Sequence, residues 1–207
     1  MRFDRTIVPL LAFIAIAVFS VTTARADSVT FTIGNNPQSN EENVLLNSGA
    51  TGTTVFGLTN QTNLQVRFTS STDTLVEPSS GQARVEAVDG LLNNITLDLP
   101  NASFTDVILN PFFGSGTATV TVLTTNNQTF TFSYTLSNGN NFLTIVADPG
   151  TRIASVTVSA PGGFTDLRQP RISGAEANVP EPASLLLLGG GLLGLAGVGR
   201  KRRRSKK

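Results

Sequence analysis

The sequence predicts an all-β body, an antiparallel β-sandwich of jelly-roll type, with a signal peptide before it and a transmembrane helix after it. Three observations predict the body. Between Ser28 and Ser173 no window of twelve residues carries the 3.6-residue apolar stripe of a helix, and the stretch is rich in Thr, Asn, Ser, Gly and Val. Ala118, Val120 and Val122 alternate with Thr117, Thr119 and Thr121, and Phe130, Phe132, Tyr134 and Leu136 alternate with Thr129, Thr131, Ser133 and Thr135, which is the period of a strand with one buried face. Turn residues also recur between short runs of this kind, at the spacing of an antiparallel sandwich.

Taken in chain order, residues 1–26 form the signal peptide. Arg2 and Arg5 begin a short basic segment, Ile7 to Val21 is an uncharged apolar run, and Ala24 and Ala26 stand where signal peptidase requires small side chains. Cleavage is expected after Ala26. The apolar run is shorter than the ~20 residues a spanning helix prefers, so a cleaved segment fits better than an anchor.

Residues 27–172 form the β-sandwich domain. The clearest strands are Gly116 to Leu123 and Thr129 to Leu136, a predicted hairpin, followed by Phe142 to Ala147 after the Asn138-Gly139 turn. Further strands are expected at Ser28 to Ile33, Val55 to Leu58, Leu64 to Ser70, Gln82 to Val88, Ile95 to Leu99, Thr105 to Leu109, Ile153 to Ala160 and Leu167 to Ile172. Phe104, Phe112, Phe113, Phe130, Phe132 and Phe142 are the predicted aromatic core. Residues 173–179, small and polar, read as a linker.

Charge divides the chain in the same places. Seven of the fifteen Lys and Arg residues lie in the last eight positions, whereas Asp27 to Pro182 holds five arginines against thirteen acidic residues, a balance of −8. A lysine-free acidic body has nothing with which to displace counterions from a phosphate backbone, so nucleic acid is excluded as a partner. The absence of Cys and His removes thiol nucleophiles, disulfides, His-based metal sites and Ser-His-Asp triads. A glycosidase would need a carboxylate pair such as Glu86 with Asp89 or Asp98 with Asp106, and nothing in the spacing places either across a cleft. No enzyme activity and no resident cofactor are expected. One oxygen-donor set suits Ca2+, namely Asp89, Asn93, Asn94 and Asp98, although it departs from the EF-hand spacing.

The carboxyl terminus, residues 180–207, has three parts. Pro180, Glu181 and Pro182 form a tripeptide whose prolines disfavour helix and hold the backbone extended, as a peptidase requires. Residues 183–199 are uncharged and glycine-rich, a helix of about 25 Å that spans if its basic flank snorkels. The tail of residues 200–207 begins with Arg200, Lys201, Arg202, Arg203 and Arg204, a cytoplasmic stop by the positive-inside rule.

This order of Pro-Glu-Pro, short glycine-rich helix and basic tail resembles the PEP-CTERM sorting signal of Gram-negative bacteria that make extracellular polysaccharide. The resemblance covers Val179 to Lys207. It implies an exosortase as partner, acting near Pro180, Glu181 and Pro182, and a precursor tethered in the inner membrane that ends at the cell surface or outside. It implies nothing about the body's ligand. Two functions are therefore carried forward: a non-catalytic exported surface or matrix protein, and a carbohydrate-binding module associated with extracellular polysaccharide. For the second, Arg168, Gln169 and Arg171 on the last strand are the expected hydroxyl-binding groups. Against it, the chain has no Trp, and its one Tyr, Tyr134, falls on the buried Phe face, so a stacking platform is missing.

Overall fold

In the computed structural model, which describes residues 26–80 and 83–177, every regular element is a strand and every pairing is antiparallel. In chain order the strands are β1 (Val29–Ile33), β2 (Glu42–Leu45), β3 (Thr51–Gly52), β4 (Thr54–Thr59), β5 (Gln65–Thr69), β6 (Leu75–Val76), β7 (Arg84–Ala87), β8 (Leu92–Asp98), β9 (Ala102–Ser103), β10 (Asp106–Gly114), β11 (Thr117–Thr124), β12 (Thr129–Thr135), β13 (Leu143–Ala147), β14 (Ile153–Ser173) and β15 (Glu176–Ala177).

One layer runs β12-β11-β14-β8-β5-β4-β2 and uses the first half of β14. The other runs β1-β13-β10-β14-β7-β6-β3 and uses the second half. Strand β14 changes layer at Pro161-Gly162-Gly163, where the pairing with β8 shifts between Ser159 and Phe164 and Gly163 adopts φ 68°. A strand that switches sheets at a bulge is the usual corner of a sandwich. The two strands expected at Ile153 to Ala160 and Leu167 to Ile172 are one, because the chain bends between them without leaving the sheet. The layers face each other: Phe31 of β1 stacks on Phe132 of β12, ring centroids 5.2 Å apart, although the two strands lie at opposite ends of the hydrogen-bonded path.

Register sorts the side chains. Across the first layer Phe130, Val122, Val156, Leu97, Phe68 and Val55 are paired neighbour to neighbour and form a continuous inward row. The row one residue along consists of threonines alone, Thr131, Thr121, Thr157, Thr96, Thr69 and Thr54, and faces outward, with Thr96 and Thr157 sharing a 2.8 Å hydroxyl hydrogen bond. A slip of one residue would exchange the two rows, so burial pins the register.

The largest fully buried aromatics are Phe68, Phe104 and Phe164. Of the expected set, Phe104 is fully buried, Phe130 and Phe132 pack against the core as partly buried residues, and Phe142 is half-buried. Phe112 and Phe113 are corrections: β10 continues past Leu109 to Gly114, so that Phe112 alternates with the buried Pro111 and is half-buried on the outer face, and Phe113 is 48% exposed because a φ of 49° turns it away from the inner face. Strand β2 carried no clear alternation and was not anticipated. Within the segment read as a linker, Ser173 closes β14 and Glu176–Ala177 pairs with β9. The transmembrane helix expected at 183–199 lies outside the described residues.

Close packing requires glycine at position 57. A Cβ at Gly57 would meet Val44 Cγ1 at 2.6 Å and the Leu45 carbonyl oxygen at 2.8 Å, and the latter belongs to the backbone of the paired strand. Gly57→Ala should therefore destabilise the body by about 1–3 kcal/mol through overpacking, measured as a lowered urea midpoint by circular dichroism.

Candidate functional site

On the second layer, Asn110 and Phe112 of β10 stand opposite Arg168 and Asp166 of β14, which in turn stand opposite Arg84 and Glu86 of β7. Opposed residues share a face, and Pro111, Leu167 and Val85 between them point to the core, so these six side chains lie on the outer face of the layer, where Asn110 and Asp166 are nevertheless buried beneath their neighbours and Phe112, Arg168, Arg84 and Glu86 are half-buried. Arg168 grips Asp166 through a fork, Nε to Oδ1 at 2.6 Å and Nη2 to Oδ2 at 2.9 Å. The Asp166 side chain is 1% exposed, while the Arg168 guanidinium lies 3.5 Å from the Phe112 ring centroid. The fork supplies the charge-assisted hydrogen bonds that a buried carboxylate needs, and the ring supplies a cation–π partner. Arg84 Nε and Glu86 Oε1, 2.5 Å apart, form an ion pair, though their orientation makes no hydrogen bond.

Phe113 breaks the alternation of β10. Its φ is 49°, which turns the ring toward Phe112 in an edge contact with centroids 4.4 Å apart. Two flanking groups hold it there: its N–H donates to the Gly139 carbonyl at 2.9 Å, and the Thr165 hydroxyl donates to its carbonyl at 3.5 Å. The 137–141 loop is itself anchored, because the Asn141 amide nitrogen donates to the carbonyls of Pro111, Ser137 and Gly139, and the Asn110 side chain bonds both Asn140 and the Asn141 N–H. Tyr134 is buried with its hydroxyl donating to the Asn141 carbonyl, and burial pushes its phenol above the ordinary range.

The other predicted residues are spread over the body. Arg171 pairs with Glu41 at 3.1 Å and with Asn35, away from Arg168. Gln169 is exposed at φ 47°, and its N–H reaches the Ala83 carbonyl. Among the acidic pairs, Glu86 faces Arg84, Asp98 is forked by Arg67, and Asp106 accepts from Thr105 and Ser173. The Ca2+ donor set is divided in the same way: Asp98 goes to Arg67, Asp89 Oδ1 accepts from the Leu91 N–H, and Asn93 and Asn94 turn their N–H groups to Asp73. Among the described residues no group of three or more acidic side chains could hold a metal ion. Ala26 is described and exposed, whereas Ala24, Pro180, Glu181, Pro182 and the Arg200–Arg204 cluster lie outside the described residues.

Sequence reasoning missed Phe113 as a surface group and Asp166 as a buried one. A signal for the first was present: two adjacent Phe on one strand must point to opposite faces unless the backbone is bent. Asp166 had none, because nothing local distinguishes a solvated carboxylate from one covered by a neighbouring guanidinium.

A family model described as the PEP-CTERM protein-sorting motif matches residues 178–204. The chain carries a PEP-CTERM sorting motif. The motif implies an exported protein, a membrane-anchored precursor and processing by an exosortase. It starts one residue after β15, so the sorting segment follows the folded body directly. No curated protein sequence matches the chain. Among solved structures, a family 29 carbohydrate-binding module from Piromyces equi is similar at 11% identity and TM-score 0.29, covering 72% of this chain and 90% of that one. A point mutant of a second family 29 carbohydrate-binding module is similar at 8% identity and TM-score 0.25, covering 76% and 95%. Likeness at those scores carries no argument about ligand.

Two predictions follow from the geometry. Asp166→Asn should leave the Arg168 charge without its partner and cost about 2–3 kcal/mol of stability, read from chemical denaturation. Asp73 supplies the pH dependence. Burial disfavours its charge, but hydrogen bonds from Thr72, from the Asn93 and Asn94 N–H groups and from Ser70 outweigh burial and hold the carboxyl below the usual carboxylate range. With the folded value depressed, its contribution is present above the unfolded value of about 4 and is lost as pH falls through the folded one. Wild-type protein should therefore lose stability between about pH 5 and pH 3, and Asp73→Asn should lose less over that interval, by urea titration at each pH.

Proposed function

We propose that this chain is an exported, non-catalytic surface or extracellular-matrix protein whose sorting segment is processed by an exosortase at Pro180, Glu181 and Pro182. The observation that carries the reading is the PEP-CTERM motif at residues 178–204. Residues 183–199 would hold the precursor in the inner membrane and Arg200 to Arg204 would keep the tail in the cytoplasm, so that the acidic body lies outside. Signal cleavage after Ala26 suits the body, since Asp27 is already built into it: its carboxylate accepts from Thr124 Oγ1 at 2.5 Å and from Asn126 Nδ2 at 2.8 Å. Engagement of Glu86, Asp98 and Asp106 by structural partners supports a non-enzymatic body.

A second reading, a carbohydrate-binding body, is favoured by one feature. The exposed ring of Phe113 supplies the aromatic platform that the lack of Trp and the burial of Tyr134 left absent from the sequence.

The sorting reading is tested by intact mass of the protein from the envelope and medium of the native host. Wild-type chain should begin at Asp27 and end near Pro180 to Pro182. Glu181→Ala should retain the basic tail, and a tail lost as efficiently as in wild type would overturn the assignment of the motif.

A further inference from the structure

We infer that the outer face of β10 and β14, centred on Phe113 with Phe112, Arg168, Arg84 and Glu86 and with the buried Asp166 holding Arg168 in place, binds a neutral polysaccharide by stacking one pyranose ring on Phe113. The inference rests on the carbohydrate reading and gives it a site and a ligand class. It begins from a strained conformation that the Gly139 carbonyl and the Thr165 hydroxyl hold in place. A bulky residue at φ 49° costs about 1–3 kcal/mol, and a ring left 48% exposed gives up about half of what full burial in the core would return. What the bend achieves is placement: a ring that alternation would have turned into the core stands instead against Phe112, on the surface where β10, β14 and β7 present polar groups.

The chemistry of that surface selects the ligand. A pyranose ring offers C–H groups on its faces and hydroxyls around its rim. An aromatic face takes the first, and the partly exposed Glu86 carboxylate and the Arg84 and Arg168 guanidinium groups accept from and donate to the second. Each charge on the patch has an opposite beside it, Asp166 with Arg168 and Arg84 with Glu86, so the site carries no net charge to attract an ion. The chain from Asp27 to Pro182 carries −8 and no lysine, which repels a polyanionic polysaccharide. A neutral glucan, whose equatorial hydroxyls leave both ring faces apolar, fits these constraints. A single ring in contact makes a weak site, strengthened on a polymer by rebinding along the chain.

The experiment is affinity electrophoresis of the full-length chain in detergent, through gels containing hydroxyethyl cellulose, dextran, polygalacturonate or the extracellular polysaccharide of the native host. Wild-type protein should be retarded by hydroxyethyl cellulose, Phe113→Ala should weaken retardation about tenfold, and Phe113→Tyr should keep it. Phe113→Trp adds a tryptophan to a chain that has none, so its emission should move to the blue as hydroxyethyl cellulose is added. No retardation of wild type by any of the four polymers overturns the carbohydrate reading altogether. Retardation that survives Phe113→Ala leaves that reading standing and overturns the site. Stronger retardation by polygalacturonate than by the neutral glucan overturns the ligand class.

Discussion

Both layers of this protein hang on one strand, β14, and on the bend that lets it serve both. Its first half is paired on two edges, by β11 and β8, and its second half on two edges, by β10 on one side and β7 and β2 on the other. The corner between them has no room for side chains. A Cβ at Gly162 would stand 2.6 Å from the Ser115 carbonyl oxygen, and Gly163 takes a left-handed φ that also brings it against Leu91. Pro161 has no N–H to leave unpaired at the turn. The run of β14 from one layer into the other therefore passes through a few residues that tolerate an unusual backbone.

The candidate site inherits its rigidity from that strand. Asp166 and Arg168 are two residues apart on β14, so strand geometry places both on one face and aims the guanidinium at the carboxylate without a loop to order. Phe112 lies across the ladder from Asp166, where it meets the same guanidinium. On the β10–β14 pair two non-glycine residues, Phe113 and Gln169, take left-handed conformations. The pairing of β10 with β14 also slips between Ile108 and Asn110. Bulges next to binding surfaces re-aim side chains in this way.

The two ends of the body are held with equal care. Asp27 is tied to the β11–β12 turn, and Ser28 N–H bonds the Thr151 hydroxyl at 3.1 Å. At the far end Arg152 gathers the departing chain: it donates to the Ser103 hydroxyl and carbonyl and to the Gly174 carbonyl, and it pairs with Glu176 at 3.2 Å. The sorting segment thus leaves from a fixed point on the body, with β15 paired to β9 immediately before it.

Sequence alone determined the class of the fold and the sorting tail, because both are written in local patterns. Alternation of Thr with Val or Phe depends only on a two-residue period, and the Pro-Glu-Pro, glycine-rich and basic parts of the tail are contiguous. Tertiary structure decided the rest. Pro161-Gly162-Gly163 reads locally as a turn, and only the pairing of its flanks with β8 and β10 makes it a corner within one strand. Glu176–Ala177 reads as linker and becomes a strand because Ala102–Ser103 lies beside it. Phe112 and Phe113 counted as core by hydrophobicity, yet Phe112 falls on the outer face of β10, and the left-handed backbone at Phe113 is held by the Gly139 carbonyl and Thr165. Pairings between residues far apart in the chain leave no local trace, so the candidate site emerged only once β10, β14 and β7 lay side by side.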